Sequence, residues 1–470
     1  MSFVTDADLT IKALEDYYQR ARAGEHPVMA QPALAQVVAD LDLAAWVRSG
    51  GLTGDALANF LQVYLAATTR LHHPAYMAHQ VAVPHYAGAL GALVDGFTNN
   101  AMAIYEMGAA AASIEFFVVN WLLEKIGWLP ATLAPHRAGA AAEGGGVLTH
   151  GGSLANLTAL AAARNHIAPE AWEEGNPGDL VLLVSPQNHY SVSRAAGIMG
   201  LGQKNVRFVE VDERGTILPD RLPAAVARVR AEGKRVLALV ANACSTAVGQ
   251  YDPLREIGQF CRAEGVWLHI DGAHGASALV SARLRTLLDG VELADSLVWD
   301  AHKMLRTPTL CAAVLVRDGR TLDQAFQQEA SYLFHEKEQP GFDFIHRTVE
   351  CTKAGLGLRL FMVMAALGEA GLARYVERQY DLAIEGYAYL KQQNDFECAL
   401  EPQANILCFR APGADERQLW LRDQLICEGD FHISTTDFSG KRYLRLTFMN
   451  PDTTLEDVRR LVAAIRRLCA

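Results

Sequence analysis

Cysteine is scarce and without pattern. The eight residues, at 244, 261, 311, 351, 398, 408, 427 and 469, form no CxxC pair, and their spacing suits no zinc knuckle. That excludes a disulfide scaffold and predicts reduced, mostly buried thiols in an intracellular protein. Basic charge is also short. Forty-two Lys and Arg against 53 Asp and Glu leave a net charge of −11. The chain has no basic excess with which to neutralise a phosphate backbone, so nucleic acid is not an expected partner. The opening MSFVTDADLTIKALEDYYQRARAGEH lacks a basic region followed by an apolar one, and no secretory signal is expected. No uncharged apolar run reaches the about 18 residues of a membrane span. The longest candidates are cut by Asp95 and Arg359. The expectation is a cytoplasmic protein with no membrane partner.

What is abundant is apolar side chain. The 470 residues are 50% hydrophobic and 20% charged, enough for a large core and two or three structural units. Residues 7–23 place Ile11, Leu14, Tyr18 and Ala21 on one helical face, with Gly24 as a stop. Residues 1–80 read as a helical segment, 81–365 as a large α/β domain and 366–470 as a small α+β domain. In the middle stretch, LVLLVS (180–185), VRFVEV (206–211), VLALVA (236–241), VWLHID (266–271), SLVW (296–299) and AAVLV (312–316) alternate with helical segments. Such runs suit strands buried on both faces of a mostly parallel sheet, in which ligands bind beyond the carboxyl ends of the strands. Downstream, a helix is expected over 365–393, strands at ILCFR (406–410) and RYLRLTF (442–448), and a final helix opened by Thr453 and Glu456 as a capping box.

Four features fall where the strand rule points. HIDGAHGAS sets Asp271 at a strand end, where a carboxylate alone is more often a cap or an ion-pair partner. SLVWDAHKML sets His302 and Lys303 after another strand. A lone lysine is usually a solvated charge, but here apolar residues flank it, and burial makes the neutral, nucleophilic amine accessible. THGGSLANLTAL is a Gly-Gly-Ser turn into a helix, whose free N–H groups suit a phosphate, although GGS turns are common. NHYSVSRAAG sets His189 at a helix entrance, either as a cap or as a flat ring to stack on a cofactor. Together they describe a site for pyridoxal 5'-phosphate (PLP), in which a lysine forms the Schiff base and a carboxylate pairs with the pyridinium nitrogen.

With these motifs in order, together with HPAYMAHQ and NACSTAVGQYDPL, the sequence resembles the group II PLP-dependent amino-acid decarboxylases, from about His72 to Pro451. These include glutamate, cysteine sulfinate, aromatic amino-acid and diaminobutyrate decarboxylases. The resemblance implies the PLP-dependent transferase fold type I, of aspartate-aminotransferase type, in a homodimer whose N-terminal segments wrap the partner and whose active sites lie at the interface. It implies that Lys303 carries the cofactor, with His302 beside the phosphate and Asp271 on the ring nitrogen. Ala273 lies beneath the ring, His189 on its other face and Thr246 near its edge. Gly152, Ser153 and Asn156 form the phosphate turn and its surroundings, and Arg445 is the substrate-carboxylate anchor, where a guanidinium fork suits better than an ammonium.

Two departures stand out. Many members have Asn where this chain has Asp300, and an acid near a phosphate must find a donor or point away. In the loop after YLFHEKEQPG, Phe342 aligns with a tyrosine thought to protonate the carbanion. Phe has no proton to give, and Tyr332 and His346 are the nearby substitutes.

The leading reading is α-decarboxylation of an L-amino acid. If Phe342 removes the proton donor, oxygen can intercept the carbanion and divert the reaction to an aldehyde. The fold would also support transamination or a different lyase step, and a catalytically silent scaffold is the non-enzymatic reading. His79, Phe97, Thr98 and Asn100 are candidates for substrate side-chain contacts, though each is more often simple packing. FTNNAMAIYEMG looks more like the glutamate and cysteine-sulfinate branch, which leans toward a small acidic substrate over diaminobutyrate or an aromatic amino acid.

Overall fold

A computed structural model of the chain describes residues 2–133, 141–326 and 341–470. Two compact units are present: one of Met1–His79, Gln379–Glu401 and Asn405–Ala470, and one of Gln80–Arg378 and Pro402–Ala404.

The larger unit is built on a seven-stranded sheet. Its strands are β1 (Gly145–Thr149), β2 (Leu180–Val184), β3 (Val206–Phe208), β4 (Arg235–Asn242), β5 (Leu268–Asp271), β6 (Ser296–Asp300) and β7 (Ala312–Val316). The spatial order is β1-β7-β6-β5-β4-β2-β3. The five strands from β3 to β6 run parallel, while β7 is antiparallel to both β6 and β1. Every residue of β1, β2, β5, β6 and β7 is buried, as a sheet covered on both faces requires. The helix Gly152–Ile167 presents Ala155, Ala159 and Ala162 to Val147, Val298 and Val314, and these small side chains allow it to lie close on the sheet. This is the mostly parallel architecture expected from the sequence.

Strand β1 is not among the expected strands. Its GGVLT sequence holds too few apolar residues to read as one, yet both glycines are needed. A Cβ on Gly146 would stand 2.6 Å from the Val314 carbonyl, and one on Gly145 would stand 2.7 Å from Gly319 Cα. VRFVEV is shorter than expected: β3 ends at Phe208, and Val211 makes only an isolated bridge with Ile217.

The helix Leu356–Lys391 begins earlier than expected, and its path breaks at Gly368, where φ is 66°. By length and composition it could cross a membrane. However, the two charges near its start are both in ion pairs: Arg359 with Asp95 at 3.0 Å and Glu369 with Lys125 at 2.7 Å. The two residues that interrupt the longest apolar runs are thus partners of each other. Asp95 also accepts from the Gly355 N–H at 2.9 Å.

The smaller unit holds an antiparallel sheet of β8 (Glu397–Cys398), β9 (Ile406–Arg410), β10 (Ser434–Phe438) and β11 (Lys441–Thr447), in the order β10-β11-β9-β8. The N-terminal helix Phe3–Arg22 belongs to this unit, and its Arg22 pairs with Asp452 at 2.7 Å. The last helix, Leu455–Cys469, is opened by Thr454 and Asp457, one residue later than the predicted Thr453–Glu456 box. The Thr454 N–H donates to Asp457 Oδ2 at 2.9 Å.

Candidate functional site

Two neighbouring parallel strands set the geometry. β5 ends at Asp271, and β6 ends at Asp300 before the turn that carries His302 and Lys303. Their register places Asp271 opposite Val298. Asp271 is buried and hydrogen-bonded on both oxygens: Oδ1 accepts from the Ala273 N–H at 3.2 Å and Oδ2 from Asn156 Nδ2 at 3.0 Å. Lys303 Nζ lies 3.1 Å from Asp300 Oδ2, and His302 Nε2 lies 3.6 Å from the same oxygen. His302 Nδ1 lies 2.8 Å from the Cys311 carbonyl oxygen.

Strand β1 leads into the glycine turn. Gly151 has φ 105°, which glycine adopts without strain. Gly152 opens the sixteen-residue helix beside Asp300, and a Cβ there would sit 2.6 Å from Asp300 Oδ2. Asp300 therefore faces the helix start rather than turning away, and its Oδ1 has no hydrogen-bond partner among the described residues.

His189 is the N-cap of the helix Tyr190–Ile198. Its Nδ1 receives the Ser191 N–H at 3.3 Å and lies 2.7 Å from Ser191 Oγ. Burial, the largest influence, pushes its pKa below the ordinary histidine value, against the opposing pull of Asp271. Thr246 follows β4 in the loop that ends in Tyr251 and Asp252.

One cleft of about 360 Å³ is lined by all nine residues singled out for the cofactor: Gly152, Ser153, Asn156, His189, Thr246, Asp271, Ala273, His302 and Lys303. Sequence reasoning missed several of its walls. Ser191, Cys244, His274 and Leu310 line it as well, and so does His150, whose Nδ1 lies 2.5 Å from Glu350 Oε1. Ser191 and His150 sit inside the quoted motifs, but nothing in their spacing marks them.

The substrate candidates are not gathered there. Phe97, Thr98 and Asn100 do not line this cleft. Phe97 is 68% exposed at the end of the helix Tyr86–Thr98, on an outward apolar stripe, and Asn100 Nδ2 donates to the Thr98 carbonyl at 3.0 Å. His79 and Arg445 belong to the smaller unit. There, Arg445 Nη1 donates to the Ala78 carbonyl at 3.3 Å, and the His79 ring meets His432 edge-on with centroids 5.5 Å apart. Phe342 packs among Phe116 and Phe344, with ring centroids 5.0 and 4.9 Å away, under the Arg347 guanidinium. His346 lies in the single turn Phe344–Arg347, and Tyr332 falls outside the described residues.

The donor set fits PLP. N–H groups at the start of a long helix suit the phosphate, and a carboxylate held by two donors suits a protonated ring nitrogen. An imidazole and a primary amine complete the set, in a cleft of the size small ligands occupy. When bound, PLP acts as an electron sink for a breaking bond at the substrate Cα.

Comparison with known proteins agrees. Residues 54–412 match the pyridoxal-dependent decarboxylase conserved domain. The chain is 28% identical to mouse acidic amino acid decarboxylase GADL1 over 433 residues, 88% of this chain and 76% of that protein. It is 27% identical to human cysteine sulfinic acid decarboxylase, over 93% of this chain and 90% of that one. It is 27% identical to L-2,4-diaminobutyrate decarboxylase of Acinetobacter baumannii, over 87% and 82%. The crystal structure of mouse CSAD superposes with a TM-score of 0.87 at 24% identity, covering 99% of both chains. The matched domain spans most of the sequence and contains the whole cleft, and the chain therefore belongs to the pyridoxal-dependent decarboxylase family, as a PLP-dependent amino-acid decarboxylase.

Proposed function

We propose that the protein removes the α-carboxylate of a small L-amino acid with an acidic side chain, releasing CO₂ and the amine. The observation that carries this reading is the single cleft holding Lys303, Asp271, His189 and the Gly152 helix start. The acidic side chain is supported by relatives named for acidic amino acids and for cysteine sulfinate.

In this reading Lys303 is the amine that would hold the cofactor through its aldehyde between turnovers. Asp271, its oxygens held by two donors, would pair with the ring nitrogen. His189 and Ala273 would hold the ring between them, with Thr246 beside it. The helix start, with Ser153 and His302, would receive the phosphate. Arg445 binds the substrate carboxylate, an assignment that rests on the family resemblance.

We also propose a cytoplasmic homodimer. None of the eight cysteines is in a disulfide, as a reducing compartment predicts. Tyr86, Leu90, Leu93, Val94 and Phe97, all exposed, form one continuous apolar stripe on a single helix, a face that a second copy would cover.

The test is the PLP-loaded protein given glutamate, aspartate, cysteine sulfinate, 2,4-diaminobutyrate and aromatic amino acids, with CO₂, amine, aldehyde and peroxide measured together. Equal CO₂ and amine from an acidic substrate is expected. Turnover of diaminobutyrate or aromatic substrates alone would overturn the substrate assignment. Aldehyde with peroxide in place of amine would show that Phe342 diverts the reaction. Light scattering at about 51 kDa, the monomer mass, would remove the dimer.

A further inference from the structure

Beneath the cleft lies a buried chain of side chains that does not touch the cavity until its last members. Trp267 Nε1 donates to Ser296 Oγ at 2.9 Å, and Ser296 Oγ lies 2.8 Å from His269 Nδ1. His269 Nε2 lies 2.9 Å from Asn156 Oδ1. Asn156 Nδ2 reaches Asp271 Oδ2 at 3.0 Å and Ser191 Oγ at 2.8 Å, and Ser191 Oγ lies 2.7 Å from His189 Nδ1. His269 is fully buried between two strand partners, and Trp267, Ser296 and His269 do not line the cleft.

The donor inventory gives this chain one direction. An indole N–H can only donate, so Ser296 Oγ accepts from Trp267. The Ser296 hydroxyl proton then has one acceptor among the described residues, His269 Nδ1. A neutral imidazole that accepts at Nδ1 carries its proton at Nε2 and donates it to Asn156 Oδ1. Burial pushes His269 down to about 4, which keeps the ring neutral. With its oxygen so engaged, the Asn156 amide turns both N–H groups toward Asp271 and Ser191. Ser191 accepts from Asn156 and so donates to His189 Nδ1, which the Ser191 backbone N–H also addresses at 3.3 Å. Two donors on Nδ1 leave the His189 proton on Nε2.

We infer that Ser296 and His269 are positioning residues: through Asn156 they fix the orientation of the Asp271 side chain and hold His189 as its Nε2–H tautomer before any cofactor arrives. This deepens the proposed function, since it rests on Asp271 serving the ring nitrogen and His189 covering the ring. The charged groups facing this end of the chain are Lys303, Asp300 and Arg194. If the Ser296 hydroxyl is lost, His269 Nδ1 has no donor. The imidazole can then take the other tautomer, with its Nδ1 proton facing the space the hydroxyl vacated and Nε2 accepting. The Asn156 amide would turn over to donate to Nε2 and set its oxygen against the Asp271 carboxylate.

Two measurements test this. In cofactor-free wild-type protein, ¹⁵N spectra of labelled histidines should show His269 and His189 both as Nε2–H tautomers, assigned by the signals lost in His269→Gln and His189→Gln. A proton on Nδ1 of either ring would overturn the inference. Because this arm uses no PLP, it stands even if the cofactor roles fail.

In the loaded protein, Ser296→Ala should shift the pH midpoint of the cofactor's visible absorbance and weaken PLP binding by about tenfold, the effect of one disrupted buried hydrogen bond. Ser296→Thr, which restores a hydroxyl, should return both toward wild type. A folded Ser296→Ala protein that titrates and binds PLP as wild type does would overturn the inference, and so would a Ser296→Thr protein as impaired as the alanine variant. Should Ser296→Ala fail to fold, the wild-type spectra decide alone.

Discussion

Glu115 and Lys353 form an ion pair with side chains 0% and 1% exposed, among the most deeply buried charges in the large unit. Glu115 Oε1 also accepts from the Leu148 N–H at 2.9 Å, and the Lys353 carbonyl accepts from the Met102 N–H at 3.0 Å. The pair therefore ties the helix Ala109–Ile126 to β1, the strand that feeds the glycine turn of the cleft. Two unit charges in hydrogen-bond contact attract by about 5 kcal/mol at an effective dielectric of about 20. Desolvation offsets most of that, so the pair adds little net stability. Removing one partner is different, because the other charge stays buried. Lys353→Met should cost about 3–5 kcal/mol at neutral pH, while Glu115→Leu combined with Lys353→Met should recover most of it.

The pH dependence has a definite sign. Burial raises the Glu115 carboxyl above its ordinary 4.5, so the folded state takes up a proton more readily than the unfolded chain. Loss of the lysine strengthens that bias. The single variant should therefore be nearest to wild type in acid and lose stability as pH rises past the ordinary carboxylate range. Urea unfolding followed by tryptophan fluorescence reports it, because Trp121 lies on the same helix and its ring is 6.4 Å from that of Trp299. A single variant within about 1 kcal/mol of wild type at pH 7, or a double variant no better than the single, would refute the reasoning.

Lys303→Ala should abolish both the visible cofactor absorbance and covalent trapping by borohydride, and reduce turnover to background; trapping at any other residue would contradict the assignment. Asp300 presses on the helix start assigned to the phosphate, so Asp300→Asn, which removes one negative charge, should tighten PLP binding by about tenfold, measured by fluorescence titration; unchanged or weaker binding would show that the carboxylate is not a repulsive neighbour. In the smaller unit, burial pushes His432 from 6.5 down to about 4. Its neutral form contributes stability that is fully present above pH 6.5 and lost as pH falls toward 4, by up to about 3 kcal/mol, and His432→Phe should flatten that limb of an acid-unfolding curve.

The cleft is legible in the sequence because PLP chemistry demands residue types that stand out where they occur. An acid at the end of HID and a lysine after SLVWDAH are conspicuous against apolar strands. The strands themselves are legible wherever valine and leucine run together, as in LVLLV and AAVLV. β1 is not, because close approach to β7 requires glycines, and glycine is also the commonest turn signal. His269 lies in a quoted motif, but its role depends on Ser296, brought to it by the β5–β6 register, and on Asn156, brought to it by the helix Gly152–Ile167, both distant in sequence. The burial of Lys353 is not legible in the sequence, because a lysine carries no mark there of the glutamate it will meet. Phe97 and Asn100 read as substrate walls, yet the helix that ends at Thr98 turns its apolar stripe outward.

The β5–β6 pairing also governs which changes in length this architecture can absorb. Asp271 and Lys303 are spaced by two ladders locked side by side, with Ile270 opposite Leu297. One residue added between Ser296 and Lys303 would push the amine along by about 3.3 Å and turn alternate side chains to the wrong face. Insertions in the exposed turns of the stretch from Ser281 to Asp295, which connects the two strands, leave that spacing intact. Natural or engineered variation in length should accordingly collect in the connector and spare the eight residues from Ser296 to Lys303.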